Sequence, residues 1–202
     1  FERAAGLAEL GDNLRQRRWL NPIEADALID RAAQQMRDLI GALNSPDWNW
    51  IIEPDQPEQL SEYMLIIERC AQFDSEAAAW DAARFQKVYS PIGMLPPDQY
   101  LALVLEATQG CTFNSCAFCD LYQQPFRVKS PIEFERHIDE VRNYLGDSIL
   151  LRSRSIFLGA ANALAVPMAR LQPLLEIAAK EFNLYGHNDI GLYAFLDALT
   201  GT

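Results

Sequence analysis

The chain changes rhythm at residues 90–97, and the pattern beyond that break admits few folds. Ser90-Pro91-Ile92-Gly93-Met94-Leu95-Pro96-Pro97 interrupts all helical periodicity. After it, Leu101–Ala107 is a continuous apolar run of strand length. Ser130-Pro131-Ile132-Glu133 then forms an S-x-x-E capping box with proline at the first helical position, opening a helix to about Leu145. Ile156–Gly159 reads as a second short strand. Ala165–Phe182 reads as a helix, with Pro167 near its start and Pro173 as a kink point. A third strand, Ile190–Leu196, comes after the turn Tyr185-Gly186-His187-Asn188-Asp189. Strands alternating with helical crossovers predict an α/β fold with a parallel sheet. Ligand sites in such folds lie at the C-terminal ends of the strands, so the segment after Leu101–Ala107 matters first.

That segment holds three of the chain's four cysteines, Cys111, Cys116 and Cys119, in the spacing C-x4-C-x2-C. Three thiolates so close together can hold one small inorganic object and leave one coordination position open. Cys70 lies far upstream in a helical pattern with Ile66, Ile67 and Phe73, and reads as a small core residue. Four cysteines in 202 residues, with no basic and apolar leader in view, suit metal ligands in a reducing cytoplasm rather than a disulfide framework.

Three metal readings compete. A plant-type [2Fe–2S] centre shares the spacing but needs a fourth cysteine downstream, and there is none after Cys119. A structural zinc site of three cysteines and one histidine would recruit His137 from the next helix. It lacks the second short knuckle that such sites pair with the first, and His137 reads as a helix-surface histidine. The third reading is a [4Fe–4S] cluster on three thiolates, with one iron left free of protein ligands.

The run Thr108-Gln109-Gly110-Cys111-Thr112-Phe113-Asn114-Ser115-Cys116-Ala117-Phe118-Cys119-Asp120-Leu121-Tyr122 comes after a strand and precedes a helix and a Gly-containing strand end. It resembles the radical S-adenosylmethionine (SAM) superfamily, in the branch whose first spacing is four residues. Phe126-Arg127-Val128-Lys129-Ser130 also fits that branch. The resemblance covers residues 100–200, and the N-terminal half lies outside it.

The resemblance implies an enzyme in which a reduced [4Fe–4S] cluster cleaves SAM to methionine and a 5′-deoxyadenosyl radical, which abstracts hydrogen from a substrate. The catalytic residues and the substrate are not implied by it. Cys111, Cys116 and Cys119 would hold the cluster, and a reducing donor such as flavodoxin or ferredoxin would supply the electron. Phe118 would lie against the adenine. Gly159-Ala160-Ala161-Asn162 falls where the superfamily's Gly-Gly-Glu motif meets the SAM amino group; here one glycine remains and Asn162 stands in the acid's place. Asp197, at the end of the third strand, would reach the ribose or a substrate. Arg127 and Lys129 are candidates to offset cluster charge, with solvated positions as the bland alternative.

The implied fold is a partial (β/α) TIM-like barrel, of which residues 96–202 would form the first three βα units, truncated at the C-terminus. Residues 1–95 read as a helical region. Asn21-Pro22-Ile23-Glu24 opens a helix to Leu43, and further helical stretches cover 58–73 and 75–89. Trp48 and Trp50 fall in a proline-bounded connector. A formal charge of −11 argues against a nucleic-acid footprint, and no apolar run is long enough to span a membrane. Two other classes compete with the enzyme: an iron–sulfur electron carrier or sensor, and a zinc-stabilised interaction domain.

Overall fold

The computed structural model describes residues 18–46, 57–90, 95–115, 117, 124–149, 154–159, 161–186 and 190–196. The chain divides into two compact units, Phe1–Ala82 and Ala83–Thr202.

The first unit is helical. Helix α1, Pro22–Leu43, starts with a full capping box: the Asn21 side chain accepts from the Glu24 N–H, and the Glu24 carboxylate accepts from the Asn21 N–H. It packs on α2, Pro57–Gln72. Arg37 fastens the pair by donating to the Ala71 carbonyl at 2.7 Å. Asp30 accepts from the Ser75 N–H at 2.8 Å, at the start of α3, Ser75–Val88. Cys70 is exposed, not a core residue, as are Ile66 and Phe73. Among the described residues of the α1–α2 pair the buried side chains are small, Ala33 and Ala71.

The division between units falls within α3, ahead of the proline-rich segment. Phe85, Val88 and Tyr89 pack on the core of the second unit, which explains why the last turns of α3 group with it. That core is a three-stranded parallel sheet in the order β1, β4, β5: Leu103–Glu106, Ser155–Gly159 and Gly191–Ala194. The register places Leu103 beside Ile156 and Glu106 beside Gly159. On the other side Ser155 lies beside Gly191. Strands β1 and β4 are buried along their length, as expected of parallel strands covered on both faces. Helix α4, Pro131–Leu145, turns Phe134, His137, Ile138 and Val141 inward at helical spacing. Helix α5, Met168–Glu181, buries Leu171, Leu174, Ala178 and Ala179 and runs on through Pro173.

Among the described residues strand β1 lies at the edge of its sheet, so alternate backbone groups on its outer side need partners other than a strand. Two side chains supply them. The Tyr89 hydroxyl donates to the Val104 carbonyl at 3.0 Å, and Nε2 of His137 accepts from the Glu106 N–H at 2.9 Å.

Candidate metal and cofactor site

The cysteine segment leaves and re-enters the fold through a short antiparallel ladder that the sequence pattern does not predict. Strand β2, Thr108–Gln109, pairs with β3, Arg127–Val128, with Thr108 opposite Val128 and Gln109 opposite Arg127. The Lys129 N–H extends it by donating to the Ala107 carbonyl at 3.0 Å. The two described flanks of the cysteine segment are therefore pinned together at the C-terminal end of β1.

Local chemistry explains how the loop turns. Gly110 has φ +69°, and a Cβ there would sit 2.3 Å from the Gln124 carbonyl oxygen and 2.7 Å from that of Pro125. The two limbs of the loop cross at this glycine, so no larger residue fits directly before Cys111. Asn114 also takes a left-handed conformation, φ 40°, which asparagine tolerates better than most residues.

Two hydrogen bonds join the loop to the end of β4. Thr108, fully buried, donates from Oγ1 to the Gly159 carbonyl at 3.3 Å. Asn162, also buried, donates from Nδ2 to Oγ1 of Thr112 at 3.0 Å. The structure thus brings the segment carrying Cys111 together with Gly159, Ala161 and Asn162 at the C-terminal end of the parallel sheet. Cys111 is half-buried and its thiol is free. Cys116, Phe118, Cys119, Ala160 and Asp197 lie outside the described residues, and with them most of the proposed ligand set. Among the described residues no cluster of histidine, cysteine or acidic side chains could hold a metal ion.

Beside the loop lies a polar network that the sequence pattern does not reveal. His137 is 2 % exposed, not a surface residue. Burial, together with the Lys129 charge, pushes it down to about 3 against a hydrogen bond to the Val88 backbone, so the ring is neutral at ordinary pH. Its ring meets Tyr89 edge-on at 5.6 Å. Lys129 is buried too, rather than solvated, and its Nζ lies 3.5 Å from Oε2 of Glu106, with 8 % and 5 % of the two side chains exposed. Desolvation raises the Glu106 carboxyl and lowers the Lys129 ammonium, while their mutual attraction opposes both shifts. Ser90 donates to Oε2 of Glu106 at 3.2 Å, and Gln109 donates to Ser90 at 3.1 Å. Arg127 is exposed, in keeping with a solvated position; it bonds to Gln109 and, at 2.7 Å, to Glu133. The sequence did carry a signal for this network: Glu106 is the one charged residue in the apolar run Leu101–Ala107.

No protein-family model, curated protein or solved structure matches the chain. No helix among the described residues is long and apolar enough to cross a membrane.

Proposed function

We propose that the chain is the cluster-bearing portion of a radical SAM enzyme working in the cytoplasm, its parallel sheet the opening units of a partial barrel. The observation that carries this reading is the pair of bonds Thr108–Gly159 and Thr112–Asn162, which set the start of the C-x4-C-x2-C loop against the end of the neighbouring parallel strand. The resemblance expects the cluster ligands and the SAM amino-group contacts on these two segments.

The donor set suits iron. Thiolates are soft ligands, and three of them leave one iron open. Cys111, Cys116 and Cys119 would hold the [4Fe–4S] cluster, with Phe118, Gly159, Ala160, Ala161, Asn162 and Asp197 as SAM contacts. When bound, cluster and SAM would supply a hydrogen-abstracting radical, and flavodoxin or ferredoxin the electron. The chain's own described residues act by positioning. The β2–β3 ladder fixes both ends of the loop, Gly110 lets its limbs cross, and Asn162 ties the loop to the turn after β4. The apolar layer of Leu103, Leu105, Ile156 and Leu158 makes the strand ends a rigid platform for that loop.

Anaerobic reconstitution with iron and sulfide tests the proposal. Iron and sulfide in the proportions of one [4Fe–4S] cluster per chain, with an electron paramagnetic resonance signal that shifts when SAM is added, are expected. A cluster indifferent to SAM would make the chain an electron carrier or sensor. Stoichiometric zinc without visible absorbance would overturn both iron readings.

A further inference from the structure

At the C-terminal end of β1 lies an open polar cleft of about 510 Å³. Its volume is in the range of small-molecule sites. Lys129 and Glu106 line it, with Lys87 of α3 and Arg136 and Glu140 of α4 on its walls. We propose that this cleft binds a small dicarboxylate bearing a hydroxyl or amino group. One carboxylate sits on Lys129, the second on Arg136 and Lys87, and the donor group reaches Glu106.

The argument starts from unspent hydrogen-bonding capacity. The Lys129 ammonium has three N–H donors. Among the described residues its one partner is Glu106, at 3.5 Å, long for a charge-assisted bond. An ammonium this buried gains from an anionic acceptor on its open side. Glu106 accepts from the Ser90 side chain and backbone and from Lys129, and the roughly four lone-pair sites of a carboxylate leave room for one further donor. An acceptor next to unspent donors suits a ligand that presents a carboxylate and an adjacent donor.

The charge balance of the walls selects a second anionic group. Arg127 is paired with Glu133, and Lys129 with Glu106. Lys87 and Arg136 are exposed and form no ion pair among the described residues, against the single carboxylate of Glu140. In a chain of net charge −11, a cleft with a cationic surplus stands out from the rest of the surface.

The site does not depend on iron, so the full chain without added metal serves for the test. Isothermal titration with L-malate and L-aspartate is expected to give saturable binding at millimolar concentration or below, the tighter of the two identifying the donor. Succinate, which lacks the donor, is expected to bind more weakly, and acetate not measurably. Arg136→Gln, at an exposed position, is expected to weaken binding by about tenfold, the loss of one charge-assisted contact. The double change Lys129→Met with Glu106→Gln removes both buried charges together and is expected to abolish binding while circular dichroism stays native. No saturable binding of either probe would overturn the proposal. So would succinate binding as tightly as malate, or binding that survives in a folded double variant.

Discussion

Nε2 of His137 accepts a hydrogen bond from the backbone N–H of Glu106 at 2.9 Å, so a helix side chain takes the place of a neighbouring strand. The bond requires a neutral ring. The folded pKa lies near 3 and the unfolded value near 6.5, so the unfolded chain takes up the proton first. Stability from this group is complete above pH 6.5 and is lost as pH falls towards 3. Between pH 6.5 and pH 4 the loss should be on the order of 3 kcal/mol. Urea titrations across this range should show the midpoint falling with acidity, and His137→Gln should flatten the slope above pH 5, measured as ~1 M-scale shifts in midpoint. Glu133, held down at about 2 by the Ser130 backbone and Arg127, adds its own loss only below about pH 4.5, so the range from pH 6.5 to 4.5 reports His137 without it.

Gly110→Ala should damage the loop more than the core. The added Cβ would meet the Gln124 carbonyl at 2.3 Å, and the φ of +69° disfavours any L side chain. The expected result is a marked drop in iron retained after reconstitution, with the far-ultraviolet circular dichroism of the chain unchanged. Iron content equal to that of the parent would show that the limb crossing does not govern the ligand loop.

Cys116→Ala should lose the cluster, because two thiolates cannot hold it. Cys70→Ala should retain iron fully. Cys70 is exposed, so a maleimide probe should label it quickly in the native chain whether or not iron is bound. Slow labelling, or iron loss on Cys70→Ala, would revive a site of four cysteines.

Thr112→Val and Asn162→Ala each remove one side of a bond that ties the loop to the turn after β4. A double-mutant cycle on thermal unfolding should give a coupling of about 1 kcal/mol, the usual net worth of such a bond. Additive losses would mean that the two residues act separately.

Much of the second unit was legible because its signals are local. Ser130 and Glu133 form the expected capping box, with Ser130 Oγ 2.9 Å from the Glu133 carboxylate. Asn21 and Glu24 do the same for α1. The apolar runs at 101–107, 156–159 and 190–196 all carry strands, the first and third trimmed at their ends and the second extended by Ser155. What the sequence hid depends on partners far along the chain. His137 looks like a surface residue on its helix until the edge of β1, 31 positions earlier, supplies a donor for it. Lys129 looks solvated until Glu106 comes to meet it. Cys70 fits an apolar helical pattern, but no local signal says how much of that pattern a neighbour will cover. The β2–β3 ladder escaped because two residues per strand are too few for any alternation to show.

The sealing of β1 also sets a direction for the sheet. A barrel that closes must bring its last strand against the outer side of its first, and that strand needs free N–H and C=O groups to pair with. On β1 the Glu106 N–H is already given to His137 and the Val104 carbonyl to Tyr89. Closure there would have to expel two buried aromatic rings and break both bonds at once. The outer side of β1 is thus already occupied where a further strand would pair, by one ring from α4 and one from the residue after α3.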